Sequence, residues 1–278
     1  MKILITGIYG FLGSNLAKKL SRNHTVIGLY NTEKQLVLNS EIACFNKLES
    51  IDVIPDVIIM CHAAVSSGRT NLDKTKLFET NVDFTKKIVE KFPVIKSIYI
   101  SSVSVFGTKN EIINEQSFEN PETDYAKSKS SGESEVSQNS NSIIIRFSSL
   151  YGNEMKENTL IPNYCNQALQ SQTIQVWGDG SRHQNYIHIN DAVRLIERAI
   201  ACKTKINFPI LGVSSKEYSN DEVAKIISEL THSEINYINF DDSPSFHYNN
   251  DMTQKILNWQ SEIELKNGLK HYLEWKKK

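Results

Sequence analysis

No two cysteines of this 278-residue chain stand at Cys-x-x-Cys spacing; Cys44, Cys61, Cys165 and Cys202 are scattered, as are the seven histidines. Neither a disulfide framework nor a metal site is expected, and the thiols are expected to be free groups in a reducing cytoplasm. An excess of charge is lacking too: a formal net charge of −1 sets up no long-range field for nucleic acid or an anionic membrane surface. Long apolar runs are missing. The stretch "IDVIPDVIIMC" is broken by Asp and Pro and is too short to span a bilayer. The opening "MKILITG" is too short for the apolar region of a secretory signal, so none is expected. There is no repeat and no low-complexity tract. What is present is ordinary globular composition, 40% hydrophobic and 23% charged, enough for one large domain or a large one with a smaller companion.

The first half alternates β-rich runs with helical stripes. Strands are predicted at 2–6, 25–30, 41–45, 56–61, 97–101 and 142–147. "DVIIMC" is continuously apolar, as a strand covered on both faces should be. Helices are predicted at 11–20, at about 78–92 with Pro93 as the stop, and from about Tyr125. Alternating βαβ units imply a doubly wound parallel sheet. Beyond about residue 150 the pattern loosens. "TLIPNYCNQALQ" is helical, and "IQVWGDGSRHQNYIHI" has the pattern of two short strands around a Gly-Asp-Gly turn. "NDAVRLIERAIAC" is an amphipathic helix with Asn190 as N-cap, "SNDEVAKIISEL" starts at Ser219 or Asn220, and two more helical pieces lie at 252–258 and 266–275. The expected architecture is α/β: a doubly wound parallel sheet in residues 1–155 and a smaller mixed lobe in 156–278, with parts of the latter returning to the sheet. A binding crevice is expected between them.

The first strand ends in Thr6 and runs into "GIYGFLGSNL". Gly7, Gly10 and Gly13 suit a tight turn, a close approach of backbone to a pyrophosphate and close packing of helix on sheet. The helix start at Phe11 and Leu12 offers amide N–H groups to phosphates. Strand, glycines and helix in that order give the context of a Rossmann dinucleotide loop.

The Gly-x-x-Gly-x-x-Gly spacing resembles the extended short-chain dehydrogenase/reductase superfamily, and further motifs follow in that family's order. "DVIIMCHAAV" is similar to its apolar strand with an Ala-Ala turn, which implies cofactor contacts at Ala63 and Ala64 with His62 as a wall residue and not a base. Ser66, just beyond, is a substrate contact on this resemblance. "TNVDFT" supplies Asn81 in an orienting role, "ISSVSVFG" the catalytic hydroxyl Ser102, and "DYAKSK" a Tyr-x-x-x-Lys pair, Tyr125 and Lys129, which also bind the cofactor. "RFSSLYG" implies that Ser148 lies beside a nicotinamide and Ser149 beside the substrate. "IQVWGDGSRHQNYIHINDAV" looks like the nucleotide-sugar branch, implying substrate contacts at Val176 and Arg182. Tyr125 and Lys129, four apart, share one helix face. A phenol titrates near 10, and the ammonium one turn away is expected to lower that value, making Tyr125 the general acid/base.

The chain also departs from the family. Tyr30 stands where an acidic residue usually takes the adenosine ribose. A 2′-phosphate is then not repelled, and Asn31, Thr32 or Lys34 are candidate partners for it, which tilts the cofactor towards NADP; NAD held through Asn31 is the alternative. Lys47 stands where an Asp usually meets the adenine. Gln184 replaces a diphosphate-binding arginine, and no arginine follows Arg198, leaving Arg182, His247 or a lysine for that task. Val103, Ser104 and Val105 follow Ser102 where dehydratases place acids, so C4 epimerisation or 4-keto reduction of a nucleotide sugar is expected. Reduction of another small carbonyl compound, or a non-catalytic NAD(P)-binding sensor, are the alternatives. The helix around Tyr125 has few apolar outward positions, so a monomer is expected as readily as a homodimer.

Overall fold

The computed structural model describes residues 1–32, 41–65, 72–109 and 112–278. Along the chain run β1 (Lys2–Thr6), α1 (Phe11–Leu20), β2 (Thr25–Leu29), β3 (Ala43–Phe45), β4 (Val57–Met60), α2 (Lys74–Phe78), a π-helical turn (Glu79–Asp83), α3 (Phe84–Lys91), β5 (Lys96–Ser102), β6 (Ile112–Ile113), α4 (Asp124–Ser137), β7 (Ser142–Phe147) and β8 (Ser149–Tyr151). They are followed by α5 (Leu160–Gln170), β9 (Thr173–Trp177), β10 (His183–His188), α6 (Ile189–Ala201), β11 (Ile210–Gly212), β12 (Glu217–Ser219), α7 (Asn220–Thr231), β13 (Glu234–Ile238), β14 (His247–Tyr248), α8 (Asp251–Leu257) and α9 (Leu265–Lys276).

Seven strands form one parallel sheet in the order β11-β7-β5-β4-β1-β2-β3. The sheet is doubly wound, and the order reverses at β1, which opens a crevice at the carboxyl ends of β1 and β4. Alternate residues of β1 serve opposite faces. Ile3 and Ile5 join Leu16 of α1 and Leu195 and Ile196 of α6 in one core, while Leu4 joins Ile88 and Val89 of α3, Tyr99 and Ile144 in the other. All four residues of β4 are buried, which is why its sequence reads as an unbroken apolar run. β11 pairs with β7 through Ile210 and Ile145, so a segment far down the chain returns to extend the sheet. A separate core of Ile161, Tyr164, Val176, Ile227, Leu269 and Tyr272 holds α5, α7, α9 and β9 together at the sheet's carboxyl side.

Two local expectations, the start of one helix and the N-cap of another, give way. The helix placed at 78–92 starts at Lys74 and is broken by the π-helical turn; its first turn is Lys-Thr-Lys around a single buried Leu77, too polar to show a stripe. The two strands expected around Gly178-Asp179-Gly180 are present, and they pair with different partners. β9 pairs in parallel with β13, and β10 lies between β8 and β12. Gly178 and Gly180 both have positive φ, and a Cβ on Gly180 would meet Asp221 and Val176 within 3.0 Å, so this turn docks on the start of α7 and turns the chain from one sheet to another. The N-cap of α6 is His188, whose ring accepts from the Asn190 amide at 3.2 Å, and Asn190 sits inside the first turn. At α7 the expected start holds, with Ser219 and Glu222 forming a capping box.

Candidate active site

The glycine loop is shaped by contacts that leave no room for side chains. Gly7 has φ +66°, and a Cβ there would stand 2.9 Å from the His62 backbone; one on Gly13 would stand 2.3 Å from the Gly7 carbonyl oxygen. No side chain caps the start of α1, so the first-turn amides, Phe11 and Leu12 among them, remain donors for a ligand. The Leu12 side chain itself is buried in the core. Gly7, Gly10, Tyr30, Asn31, Thr32, His62, Ala63 and Ala64 line a cavity of roughly 520 Å³. Its bare glycine cradle fits the pyrophosphate of a dinucleotide. Tyr30 meets Tyr9 edge-on with centroids 5.1 Å apart. Lys34 and Ser66 lie outside the described residues.

His62 is a pin. Its Nδ1 is 2.6 Å from the Thr6 hydroxyl and its Nε2 2.9 Å from the Thr85 hydroxyl. Thr85 gives its own proton to the Asn81 carbonyl, so the network assigns an Nε2–H tautomer whose Nδ1 accepts from Thr6. Burial, then the charge of Lys129, lowers the histidine's pKa to about 3. The ring is therefore neutral across the ordinary pH range and has no free nitrogen with which to take a proton.

Asn81 clamps three segments. Its Oδ1 accepts from the Ala64 amide, and its Nδ2 donates to the Ala64 carbonyl and to Ser128 Oγ of α4, all at 2.9 Å. The π-helical turn turns this buried amide towards both partners, a use typical of such turns.

Behind the clamp, α4 lies against the end of β5. Ser102 lies beside the phenol of half-buried Tyr125. Lys129 is fully buried; its Nζ donates to the Ile100 carbonyl at 2.6 Å and sits 4.0 Å from the centre of the Tyr99 ring. The expected lowering of the phenol's pKa by this lysine is not what the structure gives. Burial pushes Tyr125 up to about 12, with only the neighbouring Ser102 working the other way. Lys129 is itself brought down to about 7 by burial, against the charge of Glu133 and then Cys61.

The hydroxyl of Ser102 opens on a second cavity, of about 350 Å³, lined also by Ser104, Thr108, Glu122, Ser148, Ser149, Arg182, Gln184 and Asn185. Ser148, Ser149 and Arg182 thus converge with Ser102. Arg182 is held by the Pro244 carbonyl, while Gln184 donates to Asn220 at 2.8 Å. His247 is not among the lining residues; its ring lies 5.7 Å from that of His183. Val176 departs from expectation: it is fully buried in the lobe's core and lines neither this cavity nor the glycine-loop cavity, because the Gly180 turn and α7 cover it. Asn185 was not anticipated. It accepts from Ser148 at 2.7 Å and from the Ser214 amide at 2.9 Å, and so fixes this wall. Glu122 brings a carboxylate to the cavity from 20 residues beyond Ser102, where a search of the residues directly after the serine does not reach. Also missed was the buried pair of Glu133 and Arg146, with the exposed Glu119 at its edge. A mid-helix Gly132 was its one local signal of close packing.

A family model for the NAD dependent epimerase/dehydratase family matches residues 3–208. The chain belongs to that family. Among its relatives, a UDP-N-acetyl-alpha-D-glucosaminuronate decarboxylase of Bacillus cytotoxicus is 26% identical over 99% of this chain and 97% of its own. A putative UDP-glucose 4-epimerase of Methanocaldococcus jannaschii is also 26% identical, over 99% and 98%. Among solved structures, a UDP-glucuronic acid 4-epimerase from Bacillus cereus, in complex with UDP-glucuronic acid and NAD, superposes over 100% of this chain and 99% of its own with a TM-score of 0.87 at 22% identity. The fold of the epimerase/dehydratase family is therefore present in full.

Proposed function

We propose that the protein is an NAD(P)-dependent oxidoreductase of a nucleotide-activated sugar, acting by C4 epimerisation or 4-keto reduction. The observation that carries this reading is Ser102 in the wall of one cavity with Tyr125 beside it, and the glycine-cradled cavity on the neighbouring strands. A bound nicotinamide dinucleotide supplies the hydride carrier. The chain's own residues do the rest. Ser102 holds the reacting oxygen, and Tyr125 gives or takes its proton. Burial keeps the phenol protonated at neutral pH, so in the resting state Tyr125 is a donor. Lys129 braces the end of β5 through Ile100, Asn81 keeps α4 against the glycine-loop side, and Arg182 faces the substrate's phosphates. That relatives carry names of UDP-sugar epimerases and decarboxylases supports the substrate class.

The lack of a carboxylate at Tyr30 favours NADP, whereas the solved relative holds NAD; dissociation constants for the two decide between them. The scattered cysteines, none at Cys-x-x-Cys spacing, support a reducing, cytoplasmic setting. Among the described residues no helix is long and apolar enough to cross a membrane. The test is turnover of UDP-glucose, UDP-glucuronic acid and 4-keto sugar nucleotides, followed by chromatography, for the native chain and Tyr125→Phe. The variant should keep dinucleotide binding and lose roughly 10²–10⁴-fold in kcat. Full turnover by Tyr125→Phe would overturn the proton-transfer role, and dinucleotide binding without turnover of any sugar nucleotide would return the protein to the class of sensors.

A further inference from the structure

Three consecutive residues at the end of β5 each meet a residue of α4, and those α4 residues are one helical turn apart. The Ile100 carbonyl accepts from Lys129, the Ser101 hydroxyl donates to Glu133, and Ser102 lies beside Tyr125. Tyr125 and Lys129 have roles in the function proposed above. Glu133, 5% exposed, has none, and an isolated buried carboxylate is costly.

A guanidinium faces it. Arg146, 1% exposed, donates from Nε to one Glu133 oxygen at 3.0 Å and from Nη2 to the other at 2.5 Å, the two-pronged geometry that suits a carboxylate. Arg146 also pairs with Glu119 and lies 4.7 Å from the centre of the Phe106 ring. Two carboxylates and one guanidinium leave a single negative charge, which the Lys129 ammonium balances. A Glu133–Arg146 pair serving stability alone would be neutral without either Glu119 or Lys129.

We propose that Glu133 is a positioning residue: an anion fixed by Arg146 that keeps Lys129 charged and seats the Ser101–Ser102 segment against Tyr125. This rests on the function proposed above. The other groups facing Lys129 leave Glu133 as its chief electrostatic support. On α4 itself these are Tyr125 and Glu133. From β5 come the Tyr99 ring and the Ile100 carbonyl, and from the segment after β4 come Cys61 and His62. Tyr99 and Tyr125 are neutral phenols raised by burial, His62 is neutral, and burial raises the Cys61 thiol to about 12. With burial bringing Lys129 down to about 7 and Glu133 the largest influence opposing it, loss of the Glu133 charge must lower the lysine further. The ammonium is then lost at a lower pH than in the native chain.

The experiment measures kcat and KM between pH 5.5 and 9.5 for the native chain, Glu133→Gln, Glu133→Asp and the double variant Glu133→Gln/Arg146→Met. The lysine Nζ of ¹⁵N-lysine-labelled protein is titrated by NMR in parallel, with Lys129→Met for assignment. Glu133→Gln keeps an acceptor for Ser101 and removes the charge. It should lose at least tenfold in kcat at pH 8 with KM within twofold, and its alkaline limb and Lys129 titration should move down by about one pH unit. Glu133→Asp should recover most of both. Where the single variant leaves Arg146 too poorly paired to fold, the double variant removes both charges; it should regain the native melting temperature and still show the lowered titration. The proposal is overturned if the Lys129 titration is the same in all variants, or if the double variant restores native kcat and pH profile. Should the native chain turn over no nucleotide sugar, the proposed function fails by itself, and the NMR titration still decides the role of Glu133.

Discussion

Gly132 offers the sharpest test of how α4 is seated. A Cβ at this position would stand 2.2 Å from the Tyr99 hydroxyl oxygen and 2.4 Å from the Asn81 carbonyl oxygen. Neither neighbour yields easily. Tyr99 is fully buried with Lys129 against its ring, and the Asn81 carbonyl is backbone in the π-helical turn. Gly132→Ala must therefore push α4 outward by about 1 Å to restore ordinary contact. Alanine in a helix interior gains about 1 kcal/mol over glycine. Against this stand about 1–3 kcal/mol for overpacking and about 1 kcal/mol for the strained Tyr99–Asn81 hydrogen bond, now 3.3 Å. The net is a destabilisation of about 1–3 kcal/mol, read as a lower midpoint in urea at unchanged slope. Activity should suffer more than stability, since a 1 Å misplacement of a reacting group can cost about 10²-fold, and the loss should fall on kcat. A Gly132→Ala protein as stable as the native chain, or more so, would show that helix propensity decides and that the close seating of α4 is not real.

Asn81→Ala removes three side-chain hydrogen bonds and should cost roughly 2–3 kcal/mol in urea unfolding, with a loss of kcat because Ser128 and the Ala64 turn separate; an effect below 1 kcal/mol would refute the clamp. The histidine pin predicts a pH dependence. His62 titrates near 3 when folded and near 6.5 when unfolded, so below pH 6.5 the unfolded chain binds more protons. Stability is then complete above about 6.5 and falls towards pH 3 by at most about 1.4 kcal/mol per pH unit from this group. The native chain should lose more stability than His62→Gln between pH 7 and 4.5, and parallel pH profiles for the two would refute the buried, neutral ring.

The sheet was legible because apolar periodicity is a local property: β1, α1 and β7 lie where the pattern places them. The π-helical turn was not, because its cause is tertiary. Asn81 is turned towards partners 17 and 47 residues away. Nor was the parting of β9 from β10, since a Gly-Asp-Gly turn specifies a bend and says nothing about which strand each arm will meet. At the site, motif order was enough to bring Ser102 and Tyr125 together, as they are here. The electrostatics were not legible, because four-residue spacing gives proximity but no depth. Burial moves both Tyr125 and Lys129 in the direction that opposes charge, and outweighs the help Lys129 was expected to give the phenol. Glu133 and Arg146 are ordinary charged residues in a sequence and become a buried pair only once α4 lies on β7.

The substrate side shows what the missing arginines leave behind. With Gln184 turned to Asn220 and His247 away from the cavity, Arg182 is the one basic residue among the described residues lining it; the others with polar side chains are hydroxyls, amides and the carboxylate of Glu122. A diphosphate placed there meets one guanidinium where the family pattern supplies more, so more of its recognition passes to neutral donors such as Ser149, Thr108 and Asn185. Neutral hydrogen bonds discriminate by geometry and are screened little by salt, whereas added cations would raise affinity for any diphosphate. The departures from the family thus point the same way: this cavity selects by the shape and hydroxyl pattern of the sugar more than by the charge of the group that carries it.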